Sequence, residues 1–271
     1  MKPDNQLSRG LSIIECLSGF SSLTTDELSA ATGIPRSSVY RILGILESLN
    51  YVLKSKRELE DVWSLDLKLL TISSRILSRI DLKTEIRDIL VRLADDTMEI
   101  VQLARLQKDK VLIVDNVRKH ASIVGGAHEG ALLSINTCVA GFVFGAFLEP
   151  GELESVLKTA ELPRFTQYTI TDPDELRREF DRVRRRGYGV DDQYNAIGHR
   201  CIGAPVFDHT GKIIAEVNIS GHISTISDDR IEGLAMKVMH RAAEASRRMG
   251  YSPPIGSTVA EADNIESRVS S

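Results

Sequence analysis

Cysteine is scarce in this chain of 271 residues, and Cys16, Cys138 and Cys201 stand far apart. Such scatter excludes both a disulfide framework and the paired spacing of a zinc knuckle. No apolar run is long enough for a secretory leader or a bilayer span, so a cytoplasmic protein without membrane attachment is expected. A strong excess of either charge is also missing: the formal net charge is -4, which argues against indiscriminate coating of nucleic acid. Internal repeats and low-complexity tracts are absent, and the length suits two domains.

What is present begins with SLTTDELSAATGIPRSSVYRILGILESLNY, residues 22–51. Thr24 and Thr25 are capping candidates for a short helix over 26–32, Gly33 supplies a tight turn, and a longer helix runs from Arg36 to Leu49. Val39, Ile42, Leu43, Leu46 and Leu49 recur at helical spacing and define a buried face. Arg36, Ser37, Ser38, Tyr40 and Arg41 are left outward near its N-terminal end. Two helices across a glycine turn, the second carrying polar and basic groups at its start, fit a unit that enters the major groove of duplex DNA. Ser29 occupies the place, four residues before the glycine, where such units prefer alanine. Ser8–Leu17 offers another amphipathic helix through Leu11, Ile14 and Leu17, and Tyr51–Trp63 reads as two strands around a charged turn. Three helices and a hairpin make a winged helix, with Lys54, Lys56 and Arg57 placed to lie along phosphates.

A helical stretch over 65–80 reads as a linker, dividing the chain into a DNA-binding domain at 1–64, a linker at 65–81, a second domain at 82–250 and a disordered tail at 251–271. The second domain opens with a helix whose stripe is Leu82, Ile86, Ile89, Leu90 and Leu93, followed by strands at 100–106 and 110–117. Helices are expected at 138–148, 151–159 and 172–186, the last with Asp172 as N-cap, Glu175 completing a capping box and Gly187 stopping it. The glycine-containing run 124–130 is not followed by the lysine of a phosphate loop. Strands at 189–192, 200–207 and 212–220 precede a final helix capped by Ser227. The turn 208–211 predicts a hairpin pairing Phe207 with Lys212. That register makes one face aliphatic, with Ile202, Ala204 and Val206 opposite Val217, Ala215 and Ile213. It sets Cys201 opposite Asn218 and His199 opposite Ser220 on the other face. Polar groups in so apolar a strand require partners, and a small bound molecule is one way to supply them.

The segments TGIPRSSVYRILGILESLNYV at 32–52, TITDPDELRREFDRVRRRGYGVDD at 169–192 and RCIGAPVFDHTGKIIAEVNISG at 200–221 together resemble the IclR-type bacterial transcriptional regulators over about residues 7 to 249. The resemblance implies an α+β protein with an N-terminal winged helix-turn-helix domain and a linker helix. Its C-terminal effector domain would be GAF/PAS-like, a curved antiparallel sheet flanked by helices. It implies a homodimer or dimer of dimers, an operator in double-stranded DNA, no cofactor, and a ligand cavity at positions matching Asp191, Cys201, Asn218 and Ser220. Amides near Val139, Ala140 and Gly141 would close that cavity, since a helix start offers free N–H groups to a carboxylate, and a small organic acid is the expected effector. This chain departs from many relatives in carrying Asn218 where they have serine and Cys138-Val139-Ala140-Gly141-Phe142 where they have threonine-alanine-leucine-glycine-lysine.

Two rival chemistries use the same residues. A thiol-dependent enzyme would activate Cys201 through Arg200, His199 and Asp191, but adjacent strand residues face opposite sides, so Arg200 should not sit beside the thiol. A metal sensor would draw on His199, Cys201, His209 and His222, which the pairing map holds apart.

Overall fold

The computed structural model describes residues 5–57, 60–69, 71–72, 82–118 and 126–252. They fall into two compact units, Met1–Ile80 and Asp81–Ser271. Most of the expected linker helix and tail lie outside the described residues.

The first unit packs α1 (Gln6–Ser18), α2 (Thr25–Thr32) and α3 (Arg36–Ser48) against a three-stranded sheet in the order β1 (Leu23–Thr24), β3 (Glu60–Leu65), β2 (Val52–Arg57). Its core is Ile13, Leu17, Leu28, Val39, Leu43 and Trp63. Thr24 caps α2: its side chain accepts from the Glu27 amide at 3.2 Å while Glu27 accepts from the Thr24 amide at 2.6 Å, a complete capping box. Gly33 ends α2 in the left-handed region at φ 71, where a side chain is strained. Ser29 fits the alanine position because its hydroxyl donates to the Ile34 carbonyl at 2.7 Å. Two expectations are corrected. Helix α1 buries Gly10, Ile13 and Leu17, leaving Leu11 exposed, so the contact stripe is rotated by one position from the expected one. Leu49 lies just beyond α3 and is exposed, because the helix ends before its fourth turn returns to the core.

The second unit is a six-stranded antiparallel sheet in the order β6 (Leu132–Ser134), β5 (Lys110–Val117), β4 (Ile100–Gln107), β9 (Ile213–His222), β8 (His199–Phe207), β7 (Gly189–Asp192). Helices α4 (Leu82–Thr97) and α8 (Ile231–Arg248) pack on each other and on the sheet, and α5 (Val139–Phe147) packs with α7 (Pro173–Arg186). Helix α6 (Pro150–Thr159) joins α5 to the segment before α7. Sequence patterning located these elements to within a few residues except β6, too short at three residues to register. Asp172 accepts from the Glu175 amide at 2.8 Å, so that half of the predicted capping box is present. A 3-10 turn, Asp228–Arg230, precedes α8, so the final helix begins after Ser227 by way of a tighter turn.

The β8–β9 register differs from the expected one by two residues. Cys201 pairs with Ser220, not Asn218, and His199 pairs with His222, not Ser220. Two local events add one residue each. The turn closes with the Asp208 amide bonded to the Lys212 carbonyl at 2.9 Å, leaving a three-residue loop in which Gly211 has φ 81. The register then shifts between Val206 and Phe207, a bulge. An even displacement keeps every side chain on its face. Ile202 accordingly opposes Ile219, Ala204 opposes Val217 and Val206 opposes Ala215, so the aliphatic face is as predicted although each pair is different.

Candidate functional sites

At the start of α3, Arg36, Ser37, Tyr40 and Arg41 are exposed and Ser38 is half-buried, because Val39, Ile42 and Leu43 occupy the opposite side in the core. On β2, Lys54, Lys56 and Arg57 are exposed as well. Several of these cations already have partners: Arg36 pairs with Asp26 at 2.9 Å, Lys54 with Asp61 at 2.8 Å and Arg57 with Glu27 at 3.2 Å. Lys54 also lies 5.5 Å from the Trp63 ring centroid. Solvent-exposed pairs of this kind contribute little and exchange readily for phosphate.

The second site lies where the polar side of β8 and β9 faces the start of α5. A cavity of about 20 Å³ is lined there by Gln102, Cys138, Val139, Ala140, Asp191, Asn195, His199, Cys201 and Asn218, with Ile113, Ala127 and Leu133 completing the wall. That is room for one or two waters. Of the residues expected from sequence, Val139, Ala140, Asp191, Cys201 and Asn218 line it, while Gly141 and Ser220 do not. Gly141 serves close packing: a Cβ there would come 2.0 Å from the Ile135 carbonyl oxygen. Ser220 instead supports His199, whose Nε2 lies 2.8 Å from its hydroxyl.

Cys138 precedes α5 with extended backbone and offers no side-chain cap, so the helix start keeps amide donors on the cavity wall. Burial raises the Asp191 carboxyl to about 7, against the opposing hydrogen bond from the Tyr194 amide, at 2.8 Å. Burial also lowers the His199 imidazole and, with Asp191 nearby, raises the Cys201 thiol. The cavity wall is thus close to uncharged at neutral pH, and an incoming carboxylate meets no fully ionised acid.

Sequence reasoning missed Glu216. It is completely buried, and burial raises its carboxyl to about 8. Its Oε2 accepts from Asn218 Nδ2 at 2.9 Å, while Oε1 and Asn218 Oδ1 have no partner among the described residues. Glu216 opposes Pro205, yet a Cβ on the neighbouring Gly203 would sit 1.8 Å from Oε1. Strand alternation carried the signal, because residues 216, 218 and 220 share one face. Gln102 was missed too; it pairs across β4–β9 with Asn218 and donates to the Ala127 carbonyl at 2.7 Å.

Neither rival chemistry gains its full set. Arg200 turns to the other side of the sheet, where it pairs with Asp192 at 2.9 Å and donates to the Ile226 carbonyl at 2.8 Å. A buried thiol held above its ordinary value, without that cation, lacks the activation a nucleophile needs. For a metal, ligand atoms of Asp191, His199 and Cys201 lie within 4.8 Å of one another. His209 and His222 do not join them; His222 Nδ1 lies 2.7 Å from the Ser224 hydroxyl. Three protein ligands fall short of the four of a structural zinc site.

Comparison with known proteins agrees with the two-part organisation of the chain. The IclR helix-turn-helix domain matches residues 6–55, and the C-terminal domain described as bacterial transcriptional regulator IclR matches residues 74–247. The HTH-type transcriptional regulator BhcR of Paracoccus denitrificans is 30% identical over 240 residues, covering 89% of this chain and 85% of its own. The HTH-type transcriptional regulator KdgR of Escherichia coli is 30% identical over 240 residues, covering 88% and 90%. The crystal structure of Pseudomonas aeruginosa HmgR superposes with TM-score 0.77 over 91% of this chain and 98% of its own at 22% identity, a likeness of fold. Among the described residues no helix is long and apolar enough to cross a membrane. With a helix-turn-helix unit ahead of an effector-binding domain, the chain belongs to the IclR family of transcriptional regulators, DNA-binding proteins and not enzymes.

Proposed function

We propose that this regulator is a cytoplasmic homodimer, or a dimer of dimers, whose hold on an operator is set by a small carboxylic acid in the cavity at the start of α5. Two copies of α3 would enter successive major grooves, roughly 34 Å apart or a multiple of that. Arg36, Ser37, Ser38, Tyr40 and Arg41 contact the duplex, and Lys54, Lys56 and Arg57 follow its phosphates. The observation that carries the DNA reading is the division of α3, with Val39, Ile42 and Leu43 in the core and Arg36, Ser37, Tyr40 and Arg41 exposed at one end. The acid reading rests on α5, whose uncapped start meets a buried wall with little formal charge. Because the acid shifts an equilibrium only through its different affinities for the two states, its effect on DNA is reciprocal.

Arg41→Ala tests the interface. The residue is exposed, so the melting temperature should hold while operator affinity in a mobility-shift titration falls about tenfold, within the 1–3 kcal/mol typical of a base contact. Unchanged affinity would remove α3 from the DNA interface.

A further inference from the structure

The polar groups of the cavity are unequal in what they leave free. At the helix end, Cys138 gives the start of α5 no side-chain cap, while the Gly141 amide donates to the Cys138 carbonyl at 3.1 Å. At the sheet end the opposite holds. Asn218 is 2% exposed, lines the cavity, and spends Nδ2 on Glu216 Oε2 at 2.9 Å. Its Oδ1, an acceptor, has no partner among the described residues. Gly203, lacking a side chain, leaves space for Glu216 Oε1. Three of the other polar groups are engaged elsewhere. Gln102 donates to Ala127, Asp191 accepts from the Tyr194 amide, and His199 is bonded to Ser220.

From this arrangement we infer that the effector carries a hydroxyl as well as a carboxylate: a short α-hydroxy acid, its carboxylate on the α5 amides and its hydroxyl donating to Asn218 Oδ1. The inference rests on the carboxylate reading of the site and adds which second group is recognised. At about 20 Å³ the cavity must widen even for an acid of two or three carbons, and a longer chain would have to displace still more of the buried core around Cys138 and Val139. Keto acids present an acceptor to an acceptor at Asn218, and simple acids leave Oδ1 unpaired; both are disfavoured.

The test uses the full chain and isothermal titration calorimetry at pH 7 with matched probes: glycolate against acetate, and each lactate enantiomer against propionate and pyruvate. Glycolate and one lactate should bind about tenfold more tightly than their partners lacking the hydroxyl, the worth of one buried hydrogen bond. Asn218→Ala should bring that ratio close to one, and Asn218→Ser serves if the alanine variant does not fold, with the ratio again reduced. Equal binding of hydroxy and simple acids by the native chain, or a ratio unmoved in the variants, overturns the hydroxyl assignment while leaving the carboxylate reading standing. If none of the probes binds, both fall.

Discussion

Replacing Glu216 by glutamine should change how stability responds to pH. The carboxyl has an ordinary value of 4.5 and is raised by burial to about 8. Below pH 4.5 it is protonated in both folded and unfolded chains and contributes no difference. Between 4.5 and about 8 the unfolded chain releases the proton and the folded chain keeps it, so native stability falls as pH rises. Above about 8 both forms are ionised and the loss is complete. At roughly 1.4 kcal/mol per pH unit, the interval corresponds to on the order of 5 kcal/mol, and relaxation around the charge will reduce it. Even half of that matters against a total stability of about 5–15 kcal/mol. Glutamine lacks the proton and should flatten the curve, leaving the slope due to Asp191, raised to about 7. The assay is urea unfolding from pH 5 to 9 followed by far-ultraviolet circular dichroism. Trp63, the single tryptophan, is buried in the N-terminal unit, so its emission follows that unit separately. The variant should gain on the native protein by about 2–5 kcal/mol across this range. Parallel curves would mean that Glu216 titrates as it does in water, and the buried pair with Asn218 would not be as described.

Two further substitutions probe packing and capping. Gly145→Ala would ordinarily favour a helix, but a Cβ there falls 2.4 Å from the Phe180 ring; overpacking should win, with a loss of about 1–3 kcal/mol seen as a lower melting temperature. A gain in stability would show that Phe180 yields readily. Thr24→Ala removes the side-chain cap of α2 and should cost about 1 kcal/mol, read as an earlier urea transition in Trp63 emission, with the second unit unaffected; no change would mean that water replaces the threonine.

The helices and most strands were legible because their signals are local. The period of Ile86, Ile89, Leu90 and Leu93, the Asp172-Pro173 start and the Gly187 stop each lie within a few residues of the element they define. Pairing was less legible. The hairpin register depended on a three-residue turn and a bulge whose energies are settled by the neighbouring strands and helices, so the expected partners of Cys201 and His199 were wrong while their face was right. Around the cavity, cysteine, asparagine and serine stood out against an aliphatic background. Glu216 did not, because a glutamate on a strand ordinarily points to water, and its burial depends on a missing side chain thirteen positions away at Gly203. Gln102 was hidden for a similar reason: its place beside Asn218 comes from β4 lying next to β9, a neighbourhood that neither strand announces.

The vacancy that Gly203 leaves for a carboxylate oxygen couples two distant letters of the sequence. Volume can be traded across this strand pair, a larger group at 203 for a shorter one at 216, without disturbing the aliphatic side of the sheet. Such an exchange would release the Asn218 amide and rearrange the polar groups lining the hollow, so the two positions form a single dial on an otherwise unchanged scaffold.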